Sequence, residues 1–106
     1  MNHQHGHLAH LPSFTDSPIV FFTVTTQGRC GVLGNRTAHD ILRGIWERSA
    51  LDDGWYVGDY VLMPDHVHLF ARSASEAKPM ATWIKLWKSV SSRRLVKALS
   101  LNPPVW

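Results

Sequence analysis

The sequence predicts a single α+β domain in which two helices cover one face of an antiparallel sheet. Three observations lead there. The chain has 106 residues, the size of one small domain, and is 44% hydrophobic, enough for a packed core and too apolar for disorder. Three segments have the β-branched and aromatic composition of strands, and two have helical periodicity. Their order is β-α-β-β-α, with a further β beginning at the end. That is the ferredoxin-like pattern with an incomplete final strand. No linker or internal repeat marks a second domain.

Residues 1–13, MNHQHGHLAHLPS, hold His3, His5, His7 and His10 without a periodic apolar pattern. They read as a flexible His-rich arm, leaving 14–106 as the folded domain. These histidines lack fixed spacing and acidic or cysteine partners, so no metal site is assigned to them. PIVFFTVTT, residues 18–26, is the first strand. GRCGVLGN (28–35), with three glycines, is a loop. In the next segment Ile41, Leu42, Ile45 and Trp46 fall on one helical face. Asn35 or Thr37 can cap that helix, and Thr37 with Asp40 can form a capping box. Asp52-Asp53-Gly54 ends it. WYVGDYVLM (55–63) and HVHLFAR (66–72) are strands joined by the short turn Pro64-Asp65. Pro79 opens a long amphipathic helix, 79–99, with Met80, Trp83, Ile84, Trp87, Ser91, Leu95 and Leu99 on one side. Asn102-Pro103-Pro104 stops it, and Val105-Trp106 looks like the start of another strand.

No apolar run is long enough to span a bilayer, and no signal peptide is present. A cytoplasmic location follows as the default. The single cysteine, Cys30, cannot form an internal disulfide, which agrees with a reducing compartment. The formal charge of +3 is unevenly spread. Residues 77–106 hold Lys78, Lys85, Lys88, Arg93, Arg94 and Lys97 and no acid. Such a segment suits either a polyanion partner or a solvated helix face.

Residues 61–71 read VLMPDHVHLFA. In a strand, side chains at i and i+2 share a face, so His66 and His68 project together while Val67, Leu69 and Ala71 point the other way. The apolar set suits the helix-covered core, which puts the histidines on the open face. Two imidazoles about 6–7 Å apart at Cα can converge on one metal ion. Ordinary polar residues on a solvated face are the competing reading.

The string Met63-Pro64-Asp65-His66-Val67-His68-Leu69 resembles the signature of the HUH-type single-strand transposases, including the REP-associated tyrosine transposases. There it reads Met-Pro-Asn/Asp-His-Val-His-Leu, and all seven positions match. The similarity extends to the early strand Phe21-Phe22-Thr23-Val24-Thr25 and to Leu86-Trp87-Lys88-Ser89-Val90-Ser91-Ser92-Arg93-Arg94. The resemblance implies a ferredoxin-like catalytic fold acting as a dimer on single-stranded or hairpin DNA. It implies that His66 and His68 help hold Mg²⁺ or Mn²⁺, a Lewis acid on the scissile phosphate. A tyrosine then attacks to give a 5′-phosphotyrosine link.

In the family that tyrosine lies on a helix beyond the strand that begins near Trp106. The resemblance therefore implies a domain cut short before its catalytic tyrosine, marginally stable alone and inclined to pair with a second copy. The chain's two tyrosines, Tyr56 and Tyr60, precede the HUH strand. With a two-residue turn, residue pairs across the hairpin sum to 129, so Tyr60 faces Leu69 and both tyrosines point to the core. Asp59 shares the histidines' face, as a third ligand or, more simply, a solvated carboxylate. Asp65 is expected to shape the turn. Lys85, Lys88, Arg93 and Arg94 are the candidates for phosphate contact. Trp83 and Trp87 are expected in the core, and Phe70 on the open face is the candidate for base contact. Two other functions stay open: a non-catalytic DNA-binding remnant of a mobile element, and a small metal-binding protein unrelated to DNA.

Overall fold

The computed structural model describes residues 4–7 and 17–106. The elements are β1 (Gln4–His7), β2 (Val20–Thr25), α1 (Arg36–Asp52), β3 (Trp55–Met63), β4 (His66–Ser73) and α2 (Met80–Leu99). A short 3-10 turn spans Gln27–Arg29. The α+β class and the β-α-β-β-α core agree with the patterning. The sheet order is β1-β3-β4-β2, with every neighbouring pair antiparallel. β4 thus separates β2 from β3, and α1 carries the chain across it in a split β-α-β unit.

Strand alternation sorts the two faces. Val24, Tyr60, Leu62, Val67, Leu69 and Ala71 point to the helices and are buried. They meet Leu42, Ile45 and Trp46 of α1 and Trp83, Trp87 and Leu95 of α2. The ring of Trp83 lies flat on Trp55, with centroids 4.8 Å apart and planes 3° off parallel. Its Nε1 donates to Ser49 Oγ at 2.8 Å. Trp46 packs edge-on against Tyr60 and Trp87. Trp83 and Trp87 are core residues, as their spacing predicts.

Asn35 is the cap of α1: its side chain accepts from the Ala38 amide at 2.8 Å. The expected box of Thr37 with Asp40 does not form. Once the helix starts at Asn35, Asp40 stands in the second turn, too late to reach back, and pairs with Arg36 at 3.2 Å instead.

The expectation of a flexible arm over residues 1–13 needs correction at Gln4–His7. That segment is β1, paired along Asp59–Leu62 of β3. An edge strand with unpaired N–H and C=O groups recruits any compatible chain nearby. Gly6 makes this one compatible, because a Cβ there would overlap the Tyr60 ring. Gln4 adds a bond from Nε2 to Asn35 O at 3.1 Å. Residues 1–3 and 8–16, with His3 and His10, lie outside the described residues.

A second correction concerns Tyr56. The β3–β4 register follows the sum of 129 from Met63↔His66 to Tyr60↔Leu69, then shifts by one before Val57↔Ala71. The extra residue at Gly58-Asp59 is a bulge, and a bulge inverts the facing of everything beyond it. Tyr60 is buried on the core face as expected, but Tyr56 turns to the open face opposite Arg72. At the chain end, Val105-Trp106 forms no strand. Val105 is buried and accepts one bond from the Gln27 amide at 2.8 Å.

Candidate functional site

The open face of β4 carries His66, His68 and Phe70, and the facing residues of β2 are Thr25, Thr23 and Phe21. The two imidazoles converge. His66 Nε2 lies 3.1 Å from His68 Nε2, with ring centroids 4.7 Å apart and planes at 79°. Each ring's other nitrogen is anchored: His66 Nδ1 lies 2.7 Å from Asp65 Oδ1, and His68 Nδ1 lies 2.7 Å from Thr23 Oγ1.

These contacts set the protons. The hydrogen bond to His66 holds the Asp65 carboxyl below its ordinary pKa, with Arg29 assisting, so Asp65 is an ionised acceptor. His66 Nδ1–H must donate to it. With a neutral ring, His66 Nε2 is then an acceptor, so His68 Nε2–H donates. His68 Nδ1 in turn accepts from the Thr23 hydroxyl. A metal needs lone pairs on both Nε2 atoms. His66 already offers one; His68 must move its proton to Nδ1, and the Thr23 hydroxyl can accept as readily as donate.

The pair passes a geometric test for a shared ion. Two nitrogens each about 2.1 Å from one cation and at a right angle to each other lie about 3.0 Å apart. Anchored outer nitrogens are the usual companions of metal-ligating histidines. Asp59 does not complete the set: it is exposed, and no group of three or more His, Cys, Asp or Glu among the described residues converges on a point. Two imidazoles alone are a soft donor set for Mg²⁺ or Mn²⁺, so oxygen donors such as water and phosphate must fill the remaining positions.

Asp65 does more than shape the turn. Its carboxylate grips His66 and also Arg29, at 3.0 Å. Arg29 reaches it from a left-handed backbone, φ 54°, directly after Gly28 at φ 63°. For a non-glycine residue that conformation costs on the order of 1 kcal/mol. The same loop clamps the hairpin turn: the Thr26 amide and hydroxyl both donate to Asp65 O, at 2.9 and 3.0 Å, and the Leu33 amide donates to Pro64 O at 2.9 Å. Arg29 and Thr23 are site residues that sequence reasoning misses. Thr23 has a signal in the period-2 alternation of its strand; Arg29 has none.

The basic residues lie elsewhere. Helix α2 packs on the core face of the sheet, opposite the histidines. Lys88 and Arg93 line one shallow recess with Ser89, Ser92 and Trp106, while Arg94 lines a different cleft between α1 and α2. Lys85 is exposed and lines neither. All four cations stand on α2, on the side of the sheet away from the histidine pair.

Neither tyrosine reaches the pair. Tyr60 is buried, its hydroxyl lies 2.6 Å from His39 Nε2, and burial pushes its pKa up. Tyr56 pairs with Arg72, four residues along β4 from His68, a separation of about 13 Å.

The chain is an α+β domain with a split β-α-β sheet, helices on one face and paired imidazoles on the other. The family model described as "Transposase IS200 like" matches residues 18–103. The chain belongs to the IS200-like transposase family. Among solved structures it is similar to a Deinococcus radiodurans R1 protein named provisionally as a transposase, with a TM-score of 0.66 and 23% identity, over 86% of this chain and 68% of that one. It is also similar to a REP-associated tyrosine transposase bound to a REP hairpin, with a TM-score of 0.58 and 18% identity, over 93% of this chain and 60% of that one. At these identities the two structures speak for the fold. No curated protein matches the chain. Among the described residues, no helix is long and apolar enough to cross a membrane.

Proposed function

We propose that this chain binds single-stranded or hairpin DNA across the open face of its sheet, with Mg²⁺ or Mn²⁺ held between His66 and His68. The observation that carries the reading is the 3.1 Å approach of the two Nε2 atoms, with both outer nitrogens anchored. The solved relative with a REP hairpin supports the choice of DNA form. When bound, the ion supplies Lewis-acid activation of a scissile phosphodiester. Asp65 and Thr23 hold the imidazoles, and the core-facing side of β4 excludes water beneath them. Lys88, Arg93, Arg94 and Lys85 contact phosphates only of DNA that wraps round a sheet edge to the helix layer. A homodimer fits this arrangement, since one copy offers cations and histidines on opposite faces. A cytoplasmic setting fits the unpaired Cys30.

Strand transfer needs a nucleophile at the pair, and neither Tyr56 nor Tyr60 stands there. The reading is therefore of DNA and metal binding, with cleavage absent from this chain on its own. The test mixes the 106-residue protein with a labelled DNA hairpin bearing a single-stranded flank, with and without Mn²⁺. We expect a salt-sensitive shift on a native gel, strengthened by Mn²⁺, and no covalent adduct on a denaturing gel. An adduct would mean that Tyr56 or Tyr60 reaches the scissile phosphate, and would overturn the absence of cleavage. A shift that His66→Ala with His68→Ala leaves unchanged favours a metal-independent DNA-binding module. Tight transition-metal binding without any shift favours a metal protein unrelated to DNA.

A further inference from the structure

Beside the histidine pair the open face carries two large rings that the metal site does not use. Phe21 is 54% exposed and Phe70 43% exposed. They sit directly opposite each other on β2 and β4, with centroids 4.7 Å apart. Phe21 also lies nearly parallel to His68, at 5.7 Å and 17°. Phe70, Phe21, His68 and His66 thus form one continuous run of flat rings that ends at the convergent nitrogens.

Two half-exposed phenyl rings offer on the order of 200 Å² of apolar surface. A stable protein interface needs about 800 Å² per partner. Along β2 the patch gives way to Thr23 and Thr25 in one direction and reaches Ile19, 60% exposed, in the other; along β4 it gives way to Arg72. Even with Ile19 added, the patch is too small for a stable protein interface, and its two rings have the area of one or two nucleobases. A phosphate seated at the histidines puts the adjoining base within reach of Phe21. In a duplex, that base has both faces covered by its neighbours in the stack; in a single strand a face is free.

We infer that Phe21 and Phe70 form a stacking platform for the unpaired base adjoining the phosphate held at His66 and His68. The inference rests on the DNA reading of that site. The platform selects single strands by presenting a surface that only an unstacked base can cover. It has no hydrogen-bonding groups, so it tolerates any base.

The test measures fluorescence anisotropy with Mn²⁺ present, using three probes: a short single-stranded oligonucleotide, the same backbone made fully abasic, and a duplex of equal length. Phe21→Ala with Phe70→Ala should weaken binding of the base-bearing single strand about tenfold and change the abasic strand less than twofold. Phe21→Tyr with Phe70→Tyr should restore the base-bearing affinity. An equal loss on both strands, or no loss on either, overturns the platform while leaving DNA binding intact. So does a wild-type protein that binds the duplex as tightly as the single strand. Absence of binding to every probe overturns the DNA reading and the platform together. A dimer that dissociates in the double variant, with DNA affinity unchanged, assigns the rings to a second copy and overturns the platform.

Discussion

Asp65 Oδ1 holds His66 Nδ1 at 2.7 Å, and in doing so it turns the opposite nitrogen of the same ring toward His68. A turn residue thereby sets the orientation of the first candidate ligand. Arg29, bound to the other carboxylate oxygen, keeps Asp65 facing the ring.

Removing the anchor should loosen the site without unfolding it. Asp65→Ala is expected to weaken Mn²⁺ binding by about 10–100-fold, and Thr23→Val should act in the same direction through His68. Arg29→Ala should cost only a few-fold, because its side chain is 67% exposed and an exposed ion pair is weak. Titration of free Mn²⁺ by electron paramagnetic resonance reads all three. Unchanged affinity in Asp65→Ala would show that packing, and not the carboxylate, orients the ring.

His39 makes the fold sensitive to acid. Burial lowers its pKa, opposed by Asp40 and assisted by Arg43 and Arg36, and its Nε2 meets the Tyr60 hydroxyl at 2.6 Å. The folded state thus prefers the neutral ring. As pH falls below 6.5, the unfolded chain takes up a proton before the folded one, and stability drops. His39→Gln keeps a polar partner for Tyr60 and cannot titrate. Between pH 7 and pH 5 the urea midpoint should fall further in the wild type than in this variant.

The seam between the helices depends on one buried hydroxyl. Ser49 Oγ donates to Ile45 O at 3.2 Å and accepts from Trp83 Nε1. Ser49→Ala leaves that indole N–H buried without a partner, at a cost of about 1–3 kcal/mol. Urea unfolding followed by circular dichroism should show a lower midpoint at unchanged slope. A neutral result would mean that a water replaces the hydroxyl.

Much of this protein follows from local pattern. The element order, the inward face of β4, the burial of Trp83 and Trp87 and the shared face of His66 and His68 all come from period-2 or helical spacing, which needs only neighbouring residues. The partners of those residues do not. Thr23 meets His68 across 45 residues of chain, and Arg29 meets Asp65 only because a left-handed turn aims it there. Tyr56 changes face because one extra residue at Gly58-Asp59 inverts strand alternation; a glycine inside the strand hints at a bulge, but only the pairing with β4 fixes where the register shifts. Gln4–His7 is a strand because a nearby edge was open, not because of its own composition. Residue order alone was enough to say which side chains share a face. Which faces meet was left to the folded chain, because strand pairing joins backbones distant in sequence and is set by what packs, not by what is adjacent.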